Sequence, residues 1–244
     1  MIKTKIKIIL NFIKRLLTFF IKNTIPEPRP IKYPRPTAFE IFEKEQQIAC
    51  YNEFKKHFLS SVILDEINIR EYSIKKALEN DHKNEKAYLE FGVYKGDSIN
   101  LFSKLLTTEI FGFDSFEGLS EDWPGYTDHS IGHFNLKGRI PKFEKNVKII
   151  KGLVDQTLPV FLKEKKPLIN FVHMDMDTYE TTKFILQNIK KYLDKNSIIL
   201  FDELYNFTGW EVGEYKALKE VFKETEYKFI AFSKNESPVA IKIL

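Results

Sequence analysis

A lone cysteine, Cys50, stands among 244 residues. That scarcity excludes an internal disulfide and any cysteine-rich zinc site, and it suits a reducing compartment. A clean membrane span is also missing. The most apolar stretch, residues 1–23, carries Asn11, Lys14 and Arg15 in its middle, where polar and charged groups are costly in lipid. No cleavable secretory leader is expected. Positive charge is scarce outside that stretch. The net charge is +4, but Lys3, Lys5, Lys7, Lys14, Arg15 and Lys22 lie in residues 1–23 with no acid, which leaves the remainder at −2. The body shows no basic stripe interleaved with aromatics, so nucleic acid is not an expected partner.

What is present in residues 1–23 is a dense apolar set and a polar row. Lys3, Lys7, Asn11, Lys14 or Arg15, Thr18 and Lys22 recur every three to four residues, which puts them on one face of a helix. Such a helix suits a membrane interface; packing on the body or on a partner subunit is the alternative. Peripheral contact with the inner face of a membrane by a cytoplasmic protein is the corresponding expectation. Pro26, Pro28, Pro30, Pro34 and Pro36 make residues 24–37 an extended spacer. The body is expected at 38–244, with amphipathic helices at 38–58 and 64–78 forming a helical cover over 38–84.

The body is organised around residues 86–98. An apolar run ends in Glu90, Gly92 and Gly96 make a tight loop, and an apolar-periodic segment begins with Ile99, Leu101 and Phe102. This is strand, turn and helix, the entrance to a nucleotide-type site. Charge selects the ligand. Glu90 and Asp97 would repel a pyrophosphate, and Tyr94 stands where a dinucleotide fingerprint needs its second glycine. S-adenosylmethionine, with an ammonium, a sulfonium and no phosphate, is the better match. Asp114 follows Gly92 by 22 residues, close to the roughly 20-residue offset at which an acid reaches ribose hydroxyls.

Further strands are expected at 109–114, 147–150, 168–177, 197–203, 228–232 and 239–243, with helices near 179–193 and 211–223. Strand alternating with helix predicts an α/β doubly wound, mostly parallel sheet with ligands at the carboxyl ends of its strands. Residues 115–146, long and turn-rich, read as a lid or acceptor-binding insertion, within which His129 and His133 suit polar contact with acceptor better than metal. Asp175, Asp177, Asp202 and Glu203 fall at adjacent strand ends. Clustered carboxylates repel unless a cation or proton intervenes, so a hard divalent ion, Mg²⁺, is expected. A hydroxyl beside that ion would lose its proton to one of the acids or to His173.

The order of these motifs resembles a known family. Glu90-Phe91-Gly92-Val93-Tyr94-Lys95-Gly96, Phe113-Asp114-Ser115-Phe116-Glu117-Gly118-Leu119, Gly152 with Thr157-Leu158-Pro159, His173-Met174-Asp175-Met176-Asp177-Thr178-Tyr179 and Phe201-Asp202-Glu203 are similar to class I S-adenosylmethionine-dependent methyltransferases, macrocin O-methyltransferase-like (TylF-type) group. The resemblance spans about residues 86–222. It implies a seven-stranded Rossmann-like sheet with one antiparallel strand and O-methylation of a sugar hydroxyl; a sugar or glycosylated acceptor is expected first, a lipid-linked saccharide next, in keeping with the basic arm, and a small phenol last. By it Glu90, Gly92 and Gly96 would line the methionine end of the cofactor, and Asp114 with Ser115 the adenosine end. Phe91, Tyr94, Ser98 and Asp155 complete that set. Asp175, Asp202 and Glu203 would bind the metal, and Asp175 would double as base. The family's metal-dependent members carry two consecutive Asp where this chain has Asp202-Glu203. Tyr205 to Trp210 with Glu214 would form acceptor surface, and a homo-oligomer is compatible with the reading. A metal-dependent glycosyltransferase using Asp175 and Asp177 as an Asp-x-Asp motif is the alternative, and a membrane-associated binding module a third.

Overall fold

The computed structural model describes residues 10–11, 13–17, 35–125 and 130–244. By internal contact the chain divides into two units, Met1–Ile41 and Phe42–Leu244. In the first, residues 10–11 and 13–17 are helical, and Leu10, Ile13, Leu16 and Leu17 are exposed. The rest of the expected basic helix, and Pro26 to Pro34, lie outside the described residues. No helix among the described residues is long and apolar enough to cross a membrane.

In chain order the elements are α1 (Ala38–Phe58), β1 (Val62–Leu64), α2 (Glu66–Leu78), β2 (Ala87–Phe91), α3 (Asp97–Leu105), β3 (Ile110–Asp114), β4 (Val147–Lys151), α4 (Val154–Lys165), β5 (Ile169–Met174), α5 (Tyr179–Ile189), β6 (Leu193–Phe201), α6 (Glu214–Val221), β7 (Tyr227–Ser233) and β8 (Val239–Ile243). They build one sheet of order β1-β7-β8-β6-β5-β2-β3-β4. Only β8 runs against its neighbours, pairing antiparallel with β6 and β7, while every other pair is parallel.

The doubly wound, mostly parallel sheet is as expected, with one strand more than the seven foreseen. The extra strand, β1, is three residues long and pairs with β7 at the edge. It is too short to show a period of two, so its sequence carries no strand signal. The expected helix at 179–193 ends at Ile189, and Leu193 opens β6 instead of closing the helical stripe.

Strand alternation sorts the side chains onto two faces. Tyr88 and Phe171 pack with Ile69, Ile74 and Ala77 of α2 and Ile99 and Phe102 of α3. Leu89, Phe91, Val172 and Met174 face the opposite layer, with Leu158, Phe161 and Leu162 of α4 and Ile185, Leu186 and Ile189 of α5. Phe54 of α1 sits in that second layer, edge-on to Tyr205, Trp210, Tyr215, Phe229 and Phe232. The tight packing leaves the carboxyl ends of β2 to β6 as the place where the backbone opens.

Candidate active site

Those ends enclose a cavity of about 550 Å³ lined by, among others, Gly92, Tyr94, Asp114, Ser115, Trp123, Phe134, Asp155, Asp175, Asp177, Asp202 and Glu203. Its size is that of a small-molecule site. Of the residues expected to bind cofactor, Gly92, Tyr94, Asp114, Ser115 and Asp155 border this space. Glu90, Phe91, Gly96 and Ser98 do not. Glu90 is fully buried and accepts a hydrogen bond from the Ser98 hydroxyl at 2.9 Å. Phe91 stacks on Phe113 in the core, with ring centroids 4.8 Å apart. Gly96 abuts the ring of Phe143, where a Cβ would come within 2.4 Å. Asp97 is exposed in the first turn of α3, a position that complements the helix dipole and contributes nothing to the cavity wall.

Gly92 is where the loop and the acid cluster meet. Its φ of +82° lies in the left-handed region, and a Cβ there would stand 1.7 Å from the Asp175 carbonyl oxygen. The N–H of Gly92 donates to the Phe113 carbonyl at 3.0 Å, and the N–H of Asp175 donates to the Phe91 carbonyl at 2.9 Å. The ends of β2, β3 and β5 are thus tied together.

Asp114 organises the glycine loop from the neighbouring strand. Its Oδ2 accepts from the N–H groups of Val93 (2.8 Å) and Tyr94 (2.7 Å), and its Oδ1 from that of Phe116 (2.6 Å). A carboxylate has about four acceptor positions, so one remains for a hydroxyl in the cavity. Besides the ribose contact expected of it, Asp114 therefore caps the turn that follows β3 and holds the glycine loop.

His173 faces away from the cavity. It is the register partner of Glu90 across β2 and β5, so both side chains point to the α2–α3 face. There its Nδ1 lies 3.2 Å from Glu90 Oε2 and its Nε2 lies 3.2 Å from Asp202 Oδ1. Burial works against the charged ring, but the hydrogen bonds and charges of Asp202 and Glu90 outweigh it and raise His173 to about 10. His173 thus lies between two carboxylates and does not border the cavity, so the base role expected of it from sequence has no contact with that space.

Arg70 of α2 was not foreseen. It donates to Asp202 Oδ1 at 2.7 Å and pairs with Glu66 at 2.5 Å. A signal existed: Arg70 adjoins the buried stripe Ile69, Ser73, Ile74 and Ala77, where a guanidinium needs an anionic partner. Burial alone would raise Asp202, yet His173 and Arg70 bring it down to about 2.

The other acids behave in the opposite sense. Burial, and then the charge of Asp202, push Asp175 and Glu203 well above the usual carboxylate range. Asp177 rises to about 7 for the same reasons, with Asp114 adding to it. Glu214, which the sequence placed on acceptor surface, is fully buried at the start of α6 and is raised by burial; its Oε2 accepts the Glu203 N–H at 3.0 Å. Tyr205 and Trp210 are likewise core residues.

From the insertion, Ser115, Gly118, Leu119, Ser120, Trp123 and Phe134 line the cavity. The Phe116 carbonyl accepts from Leu136 and Gly138, and Leu119 and His133 are joined through their backbones. Phe134 and Trp123 reach the cavity, whereas His133 does not. His129 lies outside the described residues.

Residues 89–204 match the family model described as a methyltransferase domain. Comparison with curated proteins gives no match. Among solved structures the chain is similar to the calicheamicin methyltransferase CalS11, with 21% identity over 93% of this chain and 90% of that one and a TM-score of 0.59. The apo form of CalS11, described as a TDP-rhamnose 3'-O-methyltransferase, matches at 22% identity over 86% and 88% with a TM-score of 0.54. The fold is thus shared with these enzymes. Together with the matched domain it supports an S-adenosylmethionine-dependent methyltransferase.

Proposed function

We propose that this protein transfers the methyl group of S-adenosylmethionine to a hydroxyl of a sugar or glycosylated acceptor, lipid-linked saccharides included, in the manner of the macrocin O-methyltransferase-like group. The carrying observation is one cavity at the strand ends that combines the Gly92 loop, Asp114 and Asp155 with a floor of the carboxylates Asp175, Asp177, Asp202 and Glu203, of which Asp177 is buried and the others half-buried. Beside the Gly92 loop such a lining favours the sulfonium and ammonium of the cofactor over the pyrophosphate of a dinucleotide. Asp175 accepts the proton of the acceptor hydroxyl. That oxygen then attacks the methyl carbon in line, the carbon–sulfur bond breaks, and S-adenosylhomocysteine leaves. Orientation of the two reactants within the cavity supplies much of the rate. Trp123, Leu119 and Phe134, from the insertion, offer apolar faces for a sugar ring. The similar apo structure of a TDP-rhamnose 3'-O-methyltransferase is in keeping with that acceptor class.

The acids present suit a hard divalent ion: they are all-oxygen donors, and Glu203 Oε2 and Glu214 Oε1 are buried without a hydrogen-bond partner. When bound, Mg²⁺ would lower the pKa of the acceptor hydroxyl and help orient it.

Calorimetric titration tests the reading. S-adenosylmethionine should bind with micromolar Kd, and a panel of nucleotide sugars without acceptor activity should not. Binding of a sugar nucleotide with no binding of S-adenosylmethionine would instead select the Asp-x-Asp glycosyltransferase.

The exposed Leu10, Ile13 and Leu17, spaced three and four residues apart beside Lys14 and Arg15, support peripheral attachment to anionic bilayers. Full-length protein should sediment with phosphatidylserine-containing vesicles, and Ile13→Asp with Leu17→Asp should reduce that several-fold. Equal sedimentation of the two proteins would remove the anchor.

A further inference from the structure

A second cavity, of about 280 Å³, lies between α1 and the loop that follows β6. Glu43, Gln46 and Gln47 of α1 form one side, and Asn206, Phe207 and Thr208 form the other. Residues three and four apart share one face of a helix, so the three α1 side chains stand together. Gln46 is fixed by donating to Glu211 Oε2 at 3.3 Å. The loop is fixed to α1 through the Asn206 N–H, which donates to Sγ of the buried Cys50 at 3.3 Å. Methyl transfer as described above uses none of these groups.

The two cavities share a wall. Trp123 lines the first and Phe207 the second, and their rings meet edge-on with centroids 6.4 Å apart. Just beyond, the same two segments touch main chain to main chain. A Cβ on Gly125 would stand 1.7 Å from the Thr208 carbonyl oxygen, and one on Gly209 would stand 2.8 Å from that of Pro124. Asp202 and Glu203, on the floor of the first cavity, and residues 206–208, in the wall of the second, belong to one loop after β6. A ligand held on that floor therefore has to extend past only one aromatic pair to reach the second cavity.

The lining selects the occupant. It offers a carboxylate, three amides and a hydroxyl, groups that together donate and accept, beside one aromatic ring. A neutral sugar matches this set, because each of its hydroxyls donates and accepts and its apolar C–H face rests on an aromatic ring. A phosphate does not match. No lysine, arginine or histidine among the described residues lines the cavity, and Glu43 adds a negative charge. A volume just under the ~300–1,000 Å³ of sites for drug-sized ligands suits a single ring.

We propose that this second cavity is a subsite for the neutral sugar next to the one that is methylated, so that the acceptor is a saccharide of at least two rings. α1, expected as a helical cover, supplies half of the subsite. The subsite rests on the methyltransferase reading only for the ring placed at Asp175.

Full-length protein offered methyl-tritiated S-adenosylmethionine on an array of immobilised neutral glycosides of one, two and three rings tests this, with bound protein and transferred label read on the same spots. Both signals should be at least about ten-fold higher on the best two-ring glycoside than on its terminal ring alone, because the second ring adds hydrogen bonds that the first cannot make. Gln47 is exposed on α1, so Gln47→Trp should fold, fill the cavity and remove that preference. Gln46→Ala with Gln47→Ala should reduce it several-fold, and this double variant decides if Gln47→Trp does not fold. Equal signals on one-ring and two-ring glycosides, a preference that survives the substitutions, or an array that retains no protein would each overturn the subsite. Label transferred to single rings in such a case leaves the methyltransferase standing. Two-ring binding that Gln47→Trp removes, with no label transferred and no binding of S-adenosylmethionine, keeps the subsite and defeats the methyltransferase.

Discussion

Asp175→Asn should lower kcat by about a thousand-fold while S-adenosylmethionine affinity stays within about three-fold, since a positioned general base contributes some two to four orders of magnitude. The substitution preserves shape. The backbone of Asp175 is held through its N–H on the Phe91 carbonyl whatever its side chain carries. Folding should not suffer either, because burial, and then the charges of Asp202, Asp177 and Glu90, disfavour the ionised carboxylate more than His173 favours it. Removing its charge relieves that repulsion, so the melting temperature should hold or rise. Because the same residue would also bear on cation binding, Glu203→Gln is the comparison. It weakens the ion and retains the base, and the deficit specific to Asp175→Asn at saturating Mg²⁺ measures proton transfer. Single-turnover methylation at fixed cofactor occupancy reads this directly, and turnover within ten-fold of wild type would take the base role from Asp175.

Gly92→Ala acts through the backbone, and its effect should be on the fold as much as on the cofactor. The added Cβ meets the Asp175 carbonyl oxygen at 1.7 Å, and the φ of +82° disfavours any side chain. Neither contact can be relieved by turning a rotamer, because the obstacle is main chain. Left-handed strain costs about 1–3 kcal/mol by itself, and separating β2 from β5 adds to it. A loss of about 3 kcal/mol or more corresponds to a drop of roughly 6–12 °C in Tm for a chain of this size. Differential scanning calorimetry checks this, and the calorimetric titration with S-adenosylmethionine should show binding lost or much weakened. An alanine variant that melts with wild type would mean that the β2 and β5 ends do not approach as described.

The same glycine shows how much was legible beforehand. The turn at residues 92–96 was readable because glycine is the local solution to a positive φ, and the apolar runs around it have the period of strand and helix. The strand-end position of Asp114, Asp175, Asp202 and Glu203 followed from the same local reasoning. The three-residue β1 was invisible because a strand so short has no period, and it forms only when β7 is beside it. Leu193 was misplaced because an apolar residue fits a helical stripe or a strand equally well until the neighbouring strand takes it.

By itself the order of residues determined the alternation of strands and helices, the glycine loop and the set of acids that could meet at the sheet's open edge. These are matters of local period and turn chemistry. Only the tertiary structure decided which of those acids remain free. Arg70 reaches Asp202 across 132 positions of chain, and parallel register turns His173 with Glu90 to the face away from the cavity. Ion pairing between distant elements depends on where the folded backbone places two side chains, and no spacing along the chain encodes that distance.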